Sequence, residues 1–123
     1  MVHSELLADD GILVIRPSGS LEAADFQTIA AEVDPYIEAN GKLHGLMIEA
    51  ESFPGWKDFA ALVAHLKFVR EHHRKIEKIA AVSDSNFLSI APKIASHFVQ
   101  ADVRHFASSQ RDEAFAWLRG QAS

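Results

Sequence analysis

The chain has 123 residues, a length that fits a single domain spanning 1–123. Hydrophobic residues make up 48% and charged residues 24%, a globular composition, while the formal net charge of −5 and the absence of any Lys/Arg cluster argue against nucleic-acid binding. There is no cysteine, which excludes disulfides, thiolate metal sites and thiol catalysis and fits a reducing cytosol.

The start, Met1-Val2-His3-Ser4-Glu5, has neither a basic stretch nor an apolar core and does not read as a signal peptide. No apolar run approaches the roughly 20 residues of a membrane span, so the expected location is the cytoplasm, with peripheral contact at the inner membrane left open. Asp9-Asp10-Gly11 separates Glu5–Ala8 from the apolar run Ile12–Ile15, the pattern of a hairpin turned at Asp-Gly. Ser20 is the expected cap of a first helix whose stripe is Phe26, Ile29, Ala30, Val33 and Ile37. Pro35 predicts a kink or a restart of that helix, with Asp34 as a new cap, and Asn40-Gly41 predicts its end.

Leu43–Ala50 reads as a buried central strand. A second helix is expected from about Trp56 to His73, with Phe59, Leu62, Val63, Leu66 and Val69 facing the sheet. At 100° per residue that register puts Phe68 on the opposite, solvent side, flanked by His65 and His72. A third strand at Ile79–Val82, a third helix containing Pro92, Ile94 and Phe98, a strand at Asp102–Phe106 and a last helix capped at Ser108-Ser109 complete the order. The fold class is therefore α/β: a mixed, mostly parallel sheet opened by an N-terminal hairpin and covered by four helices.

This order, with Phe53-Pro54-Gly55-Trp56 after the central strand and Ala101–Phe106 leading to Glu113–Leu118, resembles the STAS family, and within it the SpoIIAA-like branch. The resemblance implies a stand-alone bacterial regulatory domain that works by binding rather than by catalysis. Phosphoregulated STAS members carry a serine in an Asp-Ser-Ser-Gly setting at the start of the helix after the central strand. Here the one hydroxyl in that segment is Ser52, beside Glu51, and the doubled serine is absent. A serine in a Pro-Gly loop also serves as turn and cap.

No catalytic motif, cofactor motif or metal-ligand spacing stands out among the residues. The seven histidines include His65 and His72, about two helical turns apart and too far for one ion, and His72 and His73, which diverge; solvated side chains are expected. Glu49, Glu51 and Asp84 fall at strand ends, where open α/β sheets gather ligands, although Asp84 also suits a helix cap. Two binding modes follow. In the first, a protein partner or a second copy docks on the second-helix surface at His65, Phe68 and His72. In the second, an apolar, lipid-like ligand enters a pocket at Phe53, Trp56 and Phe98, at a membrane surface or free of it.

Overall fold

The computed structural model describes residues 2–50, 58–72, 75–84 and 102–120. Five strands form one sheet in the order β1-β2-β3-β4-β5: β1 (Val2–Leu7), β2 (Ile12–Pro17), β3 (Leu43–Glu49), β4 (Ile76–Val82) and β5 (Asp102–Phe106). β1 runs antiparallel to β2, and every other neighbouring pair is parallel, so the sheet is mixed with β3 at its centre. Three helices accompany it among the described residues: α1 (Ala23–Asn40), α2 (Phe59–His72) and α3 (Arg111–Leu118). The helix expected around Pro92, Ile94 and Phe98 lies outside the described residues.

The alternation of side chains along a strand sorts the core into two layers. Ile12, Val14, Met47, Ala80, Val82 and Phe106 face α3, where Ala114, Phe115 and Leu118 close the layer. Leu13, Ile15, Leu46 and Ile76 face the other way, against Ile29, Val33 and Ile37 of α1, with Phe68 of α2 packed on the same cluster. A strand run such as Ile12–Val14, apolar at every position, is what a sheet covered on both sides requires.

Gly45 sets the depth of α3. A Cβ there would lie 2.9 Å from Leu118 Cδ2 and 3.0 Å from Leu118 Cβ, so the bare backbone lets the helix settle directly on β3.

Three local expectations are corrected. α1 is capped at Glu22 rather than at Ser20, with the Glu22 amide donating to Asp25 Oδ2 at 2.8 Å. α1 also runs unbroken through Pro35 to Asn40, and Asp34 does not act as a cap; its carboxylate is engaged by α2. β4 starts at Ile76, three residues before the expected Ile79, because Ile76 pairs with Leu43 and closes the core beneath α1.

Candidate functional site

The side of α2 expected to face solvent is the side that packs on α1. Phe68 is partly buried against the α1 core cluster, and its ring stacks on His72 with centroids 4.1 Å apart. His65 stacks on Phe26 of α1 at 4.8 Å, and Phe68 reaches the same ring at 6.1 Å. Burial holds the His65 ring below its ordinary pKa, because the charged form loses hydration there. His72 is 5% exposed. Its Nδ1 donates to the Phe68 carbonyl at 2.8 Å, and its Nε2 meets Asp34 Oδ1 at 2.6 Å. Both partners are acceptors, so the contact is an ion pair whenever the ring carries both protons.

His65, Phe68 and His72 are thus committed to α1 and do not form the free surface the sequence register places there. The expectation of solvated histidines fails at the same two positions. The opposite side of α2 carries the exposed apolar residues: Val63 is 48% and Leu66 62% exposed. Ala60, Lys67 and Arg70 share that exposure, and Lys67 approaches Glu71 at 4.0 Å one turn on.

A second polar cluster forms where the parallel strands end. Val14 and Arg16 share the α3 side of β2, and Met47 and Glu49 share it on β3; the register Ile15↔Ile48 sets Arg16 beside Glu49. Arg16 Nη2 lies 3.2 Å from Glu49 Oε1. From the first residue of α3, Arg111 Nε donates to both Glu49 oxygens at 3.0 Å, while its guanidinium carbon stands 4.7 Å over the Phe115 ring. The Glu49 side chain is 20% exposed, deeper than either arginine.

Next to it, Asp84 follows β4 and accepts from Ser108 Oγ at 2.6 Å and from the Ser108 amide at 2.9 Å. These two hydrogen bonds, the hydroxyl one first, hold the Asp84 carboxyl below the usual carboxylate range. Asp84 therefore caps the 3-10 turn Ser108–Gln110 that leads into α3. His105 Nε2 donates to the Ser83 carbonyl on the same edge. Among the described residues no three His, Asp or Glu side chains converge as a metal-ligand set, and every buried side-chain nitrogen or oxygen has a partner.

Of the sequence-derived site residues, Ser52, Phe53, Trp56 and Phe98 lie outside the described residues, as does Glu51. Glu49 and Asp84 stand on the strand-end edge, each engaged by its own partners, Glu49 by two arginines and Asp84 by Ser108. Sequence reasoning missed Arg16, Arg111 and the Asp34 partner of His72. Glu49 and Arg111 are 62 positions apart, and no local pattern announces such a pair. Arg16 carried a readable signal, since it is the first charge after the apolar run Ile12–Ile15 and so marks a strand end.

Among the described residues no helix is long and apolar enough to cross a membrane. No curated protein sequence matches the chain. Among solved structures, the chain is similar to a protein from Shewanella loihica described as having a SpoIIAA-like fold. The match has a TM-score of 0.74 at 19% identity and covers 96% of this chain and 92% of that one. At that identity the likeness concerns the fold. The SpoIIAA-like family model matches residues 12–119, from the first residue of β2 to just past the end of α3, and the chain belongs to the SpoIIAA-like family.

Proposed function

We propose that this chain is a regulatory, non-enzymatic interaction module whose contact element is α2, and that a second copy of the chain docks on the outer side of that helix. The observation that carries the reading is the pair Val63 and Leu66, one turn apart and 48% and 62% exposed on a helix whose other side is engaged by α1. Membership of a family that is generally regulatory and non-catalytic supports the first half.

Geometry supports the choice of a second copy. In a two-fold arrangement of antiparallel α2 helices centred on the apolar pair, Val63 of one copy meets Leu66 of the other, and the patch is its own complement. Single exposed apolar residues are ordinary; an adjacent pair one turn apart on the outer side of a helix is the pattern of a small contact centre.

Sedimentation-velocity runs over a concentration series test this. The wild type is expected to self-associate, and the Val63→Asp/Leu66→Asp variant to sediment as a monomer. Its folding stability should change by no more than about 0.5 kcal/mol per site, as for surface positions. A wild type that stays monomeric throughout the series removes the second copy from the reading.

A further inference from the structure

The strand-end cluster holds more donor capacity than its one carboxylate uses. Arg111 spends only Nε on Glu49, its guanidinium carbon stands over the Phe115 ring, and its two terminal amino groups are left over. Arg16 brings one terminal nitrogen to Glu49 from β2. Among the described residues no acceptor takes the remaining N–H groups of either side chain, and the two arginine side chains are 44% and 40% exposed. Two cations on one carboxylate leave the Arg16–Glu49–Arg111 triplet itself net positive, while Asp84 on the same edge is bound to Ser108.

We infer that Arg16 and Arg111 form a fork that binds the phosphate group of inorganic phosphate or of a small phosphomonoester at the carboxyl edge of the sheet. Glu49 positions both guanidinium groups and competes with the incoming anion.

Three features support this. Guanidinium forks match tetrahedral oxyanions, and two of them supply enough N–H groups to engage three oxygens at once. Glu49 and Phe115 already hold the arginines in place, so less side-chain freedom is lost on binding. The cluster also sits outside the carboxyl ends of β2 and β3, the edge where open α/β sheets receive ligands. The inference is independent of the α2 contact.

Titrating inorganic phosphate, and separately glycerol 3-phosphate, at ionic strength held constant with chloride, while following the arginine Nε–Hε resonances by NMR, is the test. Saturable shifts at both Arg16 and Arg111 are expected. Stronger binding of glycerol 3-phosphate identifies an ester as the ligand, and stronger binding of phosphate identifies the free ion. Arg16→Gln and Arg111→Gln should each weaken binding at least tenfold. Glu49→Gln, which removes the competing charge, should tighten it severalfold. A purely structural Arg–Glu–Arg network predicts non-saturating shifts in the wild type and no gain in Glu49→Gln, and either result overturns the inference. Should Glu49→Gln not fold, the wild-type titration decides by itself.

Discussion

His72 shows how a polar residue becomes part of a core. A buried imidazole is costly unless both ring nitrogens are met, and here the Phe68 carbonyl and Asp34 meet them from two different helices. Removing Asp34 leaves the buried His72 Nε2 unpaired, and removing His72 leaves the half-exposed Asp34 to water and a gap beside Phe68. His72→Ala and Asp34→Ala are each expected to lose about 1–3 kcal/mol, and the double variant far less than the sum. Urea unfolding of the four proteins measures this, and additive losses would contradict the coupling. His65 behaves in the opposite sense. Burial disfavours its charged form, so below about pH 6.5 the unfolded chain takes up the proton first and the folded chain resists it. Stability is therefore complete above that pH and falls as pH drops towards the lowered folded value. The loss on moving from pH 7.5 to 5.0 should be smaller in His65→Phe, which keeps the stack on Phe26; parallel pH profiles would show that His65 contributes nothing to the slope.

Among the elements, α3 depends on a single missing atom. Leu118 occupies the space that a side chain at position 45 would need, and two of the close contacts are to its Cβ and Cγ, next to the helix backbone rather than at a flexible tip. Gly45→Ala must push α3 off the sheet, at an expected cost of about 1–3 kcal/mol. Trimming the obstacle in Gly45→Ala/Leu118→Ala should cost less than the two single losses added together, which thermal unfolding reads directly. The same helix fixes Arg111 over Glu49, so displacing α3 also disturbs the strand-end cluster. α2 is the element whose sequence misleads. Val63 and Leu66 point outward, and its inner positions include Ala61, His65, Phe68 and His72. A hydrophobic stripe read by eye prefers the aliphatic side. The structure uses the aromatic and histidine side because α1 presents the Phe26 ring and the Asp34 carboxylate to it.

For the molecule as a whole, the parallel pairing of β2 through β5 brings four strand ends to one edge. Arg16, Glu49, Asp84 and the turn into α3 meet there although they come from widely separated parts of the chain. The two core layers divide the labour. The layer under α3 anchors the strand-end edge, and the layer under α1 carries α2, whose outer side presents Val63 and Leu66. The proposed anion site and the proposed protein contact are thus built on opposite faces of one sheet. The two can be disabled separately, by Arg111→Gln on one face and by Val63→Asp/Leu66→Asp on the other.

The α/β class, the mixed sheet with the Leu43–Glu49 strand at its centre, the buried stripe of α1 and the family were all legible in the sequence, because each rests on local signals: apolar runs of strand length, a 3.6-residue stripe and turn residues between them. Right-handed crossovers then leave few ways to assemble such pieces. The orientation of α2, the unbroken passage of α1 through Pro35, and the joining of Arg16, Glu49 and Arg111 were decided only by the tertiary structure. A helix with two comparably apolar sides is oriented by the partner it meets, and a strand-end cluster exists only once the sheet register has aligned residues that the chain keeps far apart.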